Sequence, residues 1–245
     1  MTPFSPKPQT SLSMKPCACS DNVQIKLAGI DMIPDLTGAL YVPDYSALLV
    51  ADLHFEKGSR RAHRGIHLPP YDTRSSLAAL KTVIATYRPQ RLISLGDSFH
   101  DTAAPDRLSA DDLAAVRSLS DEMDVIWITG NHDPALPAKL GGKVMDEVAL
   151  GAVTLRHIPE PGARDEIAGH LHPVGIVTRR GRRLRRKCFA SDGSRMIMPA
   201  FGAYTGGLNV KSDAFAGLFE DVKFSAWMLG RKAVHKVLSR SLLGE

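Results

Sequence analysis

Three short apolar runs, each ending abruptly on polar side chains, constrain this chain more than any other feature. SALLVA (46–51) ends on Asp52, RLISL (91–95) on Gly96-Asp97, and DVIWIT (124–129) on Gly130-Asn131. Continuous apolar runs of this length, bounded by turn residues, read as strands buried on both faces. Helical patterns lie between them. Residues 72–87 space Leu77, Leu80, Val83 and Ile84 along one helix face, with Asp72 or Thr73 as a cap. Ser109-Ala-Asp-Asp opens a second helix over 109–123, its acidic first turn suited to the helix dipole. Strand, helix, strand, helix, strand is an α/β alternation.

Beyond residue 140 the pattern changes. Runs at 143–150, 153–158, 166–169, 174–179, 184–190 and 195–199 predict strands joined by Gly-containing turns, and helical spacing is weak. The expected fold class is therefore α/β: a two-sheet β-sandwich flanked by helices. A chain of 245 residues suits a single domain, here 22–245, and 44% hydrophobic against 23% charged residues permits a sizeable core. Residues 1–21, rich in Pro and Ser, read as a disordered tail, with Met14 as an alternative start. The tail lacks the apolar centre of a signal peptide, and no run of about 18 apolar residues occurs. The expectation is a cytoplasmic protein with no membrane span. Cys17, Cys19 and Cys188 imply no disulfide framework.

In open α/β folds, functional groups collect at the carboxyl ends of strands. Asp52 with His54, Asp97, and Asn131 with His132 each follow a buried run. His157 follows VTLR, and His170 and His172 follow EIAG. Five strand ends can thus aim side chains into one cleft. In an extended segment alternate residues share a side, so Asp52-x-His54 and His170-x-His172 each present a pair. Two Asp, one Asn and four His suit two borderline transition metals, and a carboxylate at Asp97 can bridge them. Two divalent ions roughly 3.5–4 Å apart polarise a phosphoryl oxygen and convert water to hydroxide near neutral pH.

ADLHFEKG, GDSFHD, GNHD, the lone His of TLRHIPEP, and GHLHP resemble, in order, the five motifs of calcineurin-like metallophosphoesterases. The resemblance spans roughly residues 40–175 and implies the αββα metallophosphoesterase fold. It also implies a division of roles. Asp52, His54 and His172 would hold one ion, Asn131, His157 and His170 the other, and Asp97 both. His132 would act on the leaving-group oxygen, and Asp133 would help hold its loop. A histidine on an apolar strand is more often structural than a ligand, but the place of His157 between GNHD and GHLHP assigns it to the set. The chain departs from Gly-Asp-x-x-Asp: His100 stands where the Asp that orients the catalytic His is usual. GDSFH resembles the form in DNA-repair nucleases of the superfamily, and Asp101 becomes the candidate orienting group for His132.

A narrower resemblance, carried also by RRAHRGIHLPP, RRKCFASDG and MIMPAFGAYTGG, is to the bacterial ligase-associated DNA damage response endonucleases of the PdeM family, from about Leu40 to Gly207. It implies a phosphodiesterase or endonuclease with two divalent ions, manganese first and iron or zinc as alternatives. DNA would be its partner, in a repair system with a DNA ligase and a helicase-like protein. A homodimer is also implied, and the strand-like VKFSAWML could extend a sheet or form an interface.

The net charge of +5 (pI about 9.2) is concentrated. Arg179, Arg180, Arg182, Arg183, Arg185, Arg186 and Lys187 fall in one segment that reads as a hairpin turning at Gly181. Arg182, Arg183, Arg185 and Arg186 are candidate phosphate-backbone contacts, and Arg60, Arg61 and Arg64 candidate contacts at the cleft rim. No aromatic residues interleave the run, which disfavours specific single-strand recognition. His63 and His67 read as surface or substrate-loop residues. The glycines of PAFGAYTGG would let the backbone return close to the cleft. Two other readings share these features: hydrolysis of a small nucleotide or lipid-linked phosphate, and a non-catalytic nucleic-acid-binding scaffold. A scaffold needs no general acid, which argues against the last.

Overall fold

The computed structural model describes residues 23–63, 71–219 and 223–245, with the side chains of 61–63 excepted. The expected tail of 1–21, Arg64 and His67, and the side chains of Arg61 and His63, lie outside the described residues. The first sheet runs in chain order: β1 (Ile25–Leu27), β2 (Ile30–Pro34), β3 (Leu40–Val42), β4 (Ala47–Val50), β5 (Arg91–Leu95), β6 (Asp124–Ile128) and β7 (Lys143–Met145). From β4 onward its neighbours are parallel, as continuous apolar runs predict. The second sheet comprises β8 (Glu147–Leu150), β9 (Val153–Arg156), β10 (Glu166–Ala168), β11 (Pro173–Arg179), β12 (Arg182–Ser191), β13 (Arg195–Ile197), β14 (Leu208–Asn209), β15 (Ser225–Leu229) and β16 (Val234–Leu238). Within it, β9, β10 and β13 are parallel, and the SAWML end of VKFSAWML supplies β15, which pairs with β12 and β16.

Strand alternation divides the interior. Leu49, Ile93, Leu95, Ile126 and Ile128 face the second sheet, where they meet Leu155, Ile167, Phe189, Met196 and Trp227. Leu48, Val50, Leu92, Val125 and Trp127 face the helices instead. These are α1 (Lys57–His63), α2 (Asp72–Tyr87), α3 (Ala104–Arg107) and α4 (Ala110–Glu122). Leu77, Leu80 and Val83 of α2 and Val116 and Leu119 of α4 close that layer, each such burial contributing about 1.5–3 kcal/mol. Ser109 caps α4, its Oγ accepting from the Asp112 amide at 3.1 Å. The outer face of the second sheet packs Cys188, Ala190, Ile197 and Met228 against Phe215, Phe224 and Leu242, from short turns rather than a long helix. Among the described residues no helix is long and apolar enough to cross a membrane.

The parallel pairings decide where the polar strand ends meet. They bring the carboxyl ends of β4, β5 and β6 to one edge, and those of β9 and β10 to the facing edge.

Candidate metal centre

The segments leaving β4 and β5 continue to pair after the strands end. The Asp52 amide donates to the Gly96 carbonyl (3.2 Å), His54 to Asp97 (2.9 Å) and Phe55 to Ser98 (2.9 Å). Asp52 and His54 nevertheless leave the extended conformation that their spacing suggested. Their φ angles are 53° and 46°, Asp97 has 47°, and His170 and His172 have 69° and 46°. Left-handed backbone costs an L-residue about 1–2 kcal/mol and is least unfavourable for Asn, Asp and His. The side chains thus converge through repeated left-handed kinks rather than strand alternation. Backbone held this way by its neighbours is typical of preorganised sites.

Two clusters result: Asp52, His54 and His172, and Asp97, His157 and His170, each with its ligand atoms within 4.8 Å of one another. His172 Nε2 lies 3.0 Å from Asp52 Oδ1. His157 Nε2 lies 3.0 Å from Asn131 Oδ1 and 3.3 Å from both Asp97 Oδ1 and His170 Nδ1. Asp97 reaches the other cluster as well, its Oδ2 being 3.8 Å from His54 Nε2. The seven expected ligands are therefore brought together, Asn131 on the His157 side and Asp97 between the clusters. His170 and His172, neighbours in sequence, go to different clusters.

The polar groups are prepared for cations. His54 Nδ1 is buried without a hydrogen-bond partner. Burial drives the His54 imidazole down to about 2, which leaves it neutral and able to serve as a ligand. Burial alone would raise Asp97, but the hydrogen bonds and charge of His157, with the His132 amide, hold it down to about 2. Nδ1 of His157 meets the Leu95 carbonyl at 2.9 Å, which directs Nε2 into the site. Gly96, at φ 77°, is the residue that lets this ring in: a Cβ there would lie 2.4 Å from His157 Cγ. Imidazole, carboxylate and amide donors of this kind fit a dinuclear centre of borderline divalent metals.

His132 stands at the rim, its side chain 41% exposed and its Nε2 3.9 Å from Asp97 Oδ2. Its Nδ1 meets the backbone carbonyl of His100 at 2.9 Å, and the two rings stack at 5.3 Å. This corrects the expectation for Asp101. That carboxylate is taken by Arg107, which donates from both terminal nitrogens (2.9 and 2.8 Å), and by Arg60 at 2.8 Å. The reason is one of reach: the backbone oxygen of His100 already occupies the face of His132 that an orienting carboxylate would need. Arg60, expected to contact substrate, is accordingly held in an ion pair at the cleft rim. The loop role expected of Asp133 is present in full. Buried, it accepts from the amides of Asp97, Gly130 and Phe99, each at 3.0 Å, tying GNHD to GDSF.

The arginine-rich segment is the β11–β12 hairpin, turning through Arg180 and Gly181, both with positive φ. Arg183 and Arg185 are tethered, donating to the carbonyls of Gly244 and Gly207 at 2.6 Å each. Arg179 faces Arg182 directly across the strands. Among the described residues no acidic side chain pairs with Arg179, Arg180, Arg182 or Arg186.

A crystal structure of the Pseudomonas putida nuclease MPE is similar to this chain at 32% sequence identity and a TM-score of 0.69, covering 89% of this chain and 100% of its own. A phosphoesterase from E. coli, Yfce, matches at 12% identity and a TM-score of 0.39 over 78% of this chain and 98% of its own, too distant to carry an argument. No family model and no curated protein sequence matches.

Proposed function

The chain belongs to the metallophosphoesterase and nuclease family of the Pseudomonas putida nuclease MPE, and from that premise we propose that it hydrolyses phosphodiester bonds in DNA. The observation that carries this reading is the pair of His/Asp clusters with Asp97 between them. Asp52, His54 and His172 would hold one divalent ion, Asn131, His157 and His170 the second, and Asp97 would contact both. Manganese is the proposed metal, which the carboxylate and amide oxygens suit, with iron or zinc, which the imidazoles suit, as alternatives. When bound, the two ions supply electrophilic activation of the phosphoryl group and a nucleophile at neutral pH.

The chain's own residues do the rest. His132, held at Nδ1 by the His100 carbonyl, presents Nε2 toward the cleft, where it can give a proton to the departing oxygen. Asp133 fixes the His132 loop against the Asp97 loop, so proton donor and ligands keep a set distance. The exposed hairpin arginines supply the cations that a nucleic-acid backbone needs. DNA rather than a small phosphate ester is favoured by that hairpin and by the nuclease activity named for the MPE protein. A place in DNA repair, beside a ligase and a helicase-like protein, is part of the same proposal and is supported by the sequence resemblance.

The test is hydrolysis of bis-p-nitrophenyl phosphate by the full chain with Mn²⁺, alongside Asp97→Ala and His132→Ala. The wild type should turn over, His132→Ala should lose about 10²–10⁴-fold in kcat, and Asp97→Ala should fall to background. Equal, poor hydrolysis by all three would overturn the catalytic reading. Nicking of supercoiled plasmid, dependent on the same residues, tests the DNA substrate.

A further inference from the structure

Lys187 is the last cation of the basic run, yet it does not join the exposed arginines. Strand alternation puts it on the face of β12 that leads to the inter-sheet residue Phe189. Its ammonium is turned inward and donates to the Ala200 carbonyl (2.7 Å), the Gly202 carbonyl (3.1 Å) and Thr205 Oγ1 (2.9 Å). An ammonium has three protons, and one loop consumes all of them. Burial pushes this lysine down to about 8, opposed by the negative charge of Asp52, and leaves it cationic at neutral pH. A half-buried cation whose contacts are carbonyls and a hydroxyl is a costly thing to keep for packing alone.

The loop it grips is the floor of one cluster. The Phe201 amide donates to the Ala51 carbonyl (2.8 Å) and the Gly202 amide to the Asp52 carbonyl (3.1 Å). Just past the loop, the Leu208 amide donates to the His172 carbonyl at 3.1 Å. The approach is so close that a Cβ on Gly202 would lie 2.2 Å from the Leu53 oxygen. Asp52 and His172 both sit in left-handed backbone, a conformation that persists only where neighbours enforce it. No such link runs from Lys187 to the Asn131 or His157 segments among the described residues, although the His170 amide of that cluster donates to Asp52 Oδ2 at 3.0 Å.

We infer that Lys187 is a positioning residue for the Asp52–His54–His172 ion, acting through the 200–208 loop on that ion's ligands more directly than on those of the other. The inference rests on the proposed dinuclear centre. Loss of a supporting group of this kind weakens metal binding by about 10–100-fold. Lys187→Met keeps the aliphatic stem and removes the three donors.

The experiment measures Mn²⁺ stoichiometry by equilibrium dialysis of the full chain, with electron paramagnetic resonance to separate an exchange-coupled pair from an isolated ion. Wild type should hold two coupled ions. Lys187→Met should hold one uncoupled ion at the concentration that saturates wild type. That retained ion should survive added His54→Ala and be lost with added His157→Ala. Two coupled ions in Lys187→Met, or the reverse pattern in the double variants, would overturn the inference. Thr205→Val, which removes one of the three acceptors, decides the matter if Lys187→Met does not fold. It should weaken the same ion by a smaller factor, and unchanged binding would again overturn the inference. Wild type holding fewer than two ions would defeat the dinuclear reading itself, an outcome distinct from a wild-type pair that ignores Lys187.

Discussion

The cleft and the arginine hairpin both carry charge, and they are built in opposite ways. In the cleft, buried side chains sit on left-handed backbone, and almost every polar group is held by a residue distant in sequence. At the tip of the hairpin the two strands pair in regular antiparallel register about a tight turn, and the arginines there stand exposed, with Arg179 opposite Arg182. Like charges directly across a strand pair destabilise it, so that arrangement gains only when an anion arrives. The difference teaches how each part is tuned. Cleft geometry depends on the whole fold, whereas hairpin charge can change without moving the fold.

The largest test of that contrast removes a cleft support. Asp133→Ala deletes an acceptor of three backbone amides, and at about 1 kcal/mol each the loss should be on the order of 3 kcal/mol. Calorimetry should show a markedly lower Tm, with weaker retention of both ions. A Tm within a degree of wild type would mean the two loops hold each other without Asp133.

A smaller effect is expected from the hairpin. Changing Arg179, Arg180, Arg182 and Arg186 together to Ser should leave Tm nearly unaltered. The slope of log DNA affinity against log salt should flatten by about one for each phosphate no longer neutralised. An unchanged slope would remove the hairpin from the DNA path, and a large fall in Tm would erase the contrast between the regions.

The smallest lies at the rim, in the Asp101 pair with Arg107 and Arg60. Hydrogen bonds from Arg107 hold this carboxyl well below the usual carboxylate range, despite partial burial. Its folded value being depressed, its contribution is present above the unfolded value of about 3.9 and is lost as pH falls toward the folded one. Asp101→Asn should therefore cost about 1–2 kcal/mol at pH 7, a deficit that begins to shrink only as pH falls below about 4. Chemical denaturation at pH 7 and at about pH 2 would show it, and a deficit that ignores pH would mean the ion pair contributes nothing.

Much of this molecule can be read without coordinates because burial patterns are local. The three apolar runs, the helix over 72–87, the Ser109 cap and the hairpin turn at Gly181 all follow from residues adjacent in sequence. The N-terminal strands β1–β3 and the last strand β16 are less legible, being short and partnered by segments that the pattern alone does not identify. The candidate ligands are likewise visible, since imidazoles and carboxylates at successive strand ends have few other uses together.

The identities of the groups that can hold metal are thus a property of the sequence, as is the concentration of positive charge in one hairpin. How those groups are held is a property of the fold. Only the tertiary structure gives His132 a carbonyl from His100 in place of the carboxylate of Asp101. It alone turns Lys187 away from its basic neighbours to grip a loop. Side-chain type fixes what chemistry is available. Where a backbone oxygen lies, and which φ a packed neighbour enforces, depend on contacts between segments dozens of residues apart, to which local spacing is blind.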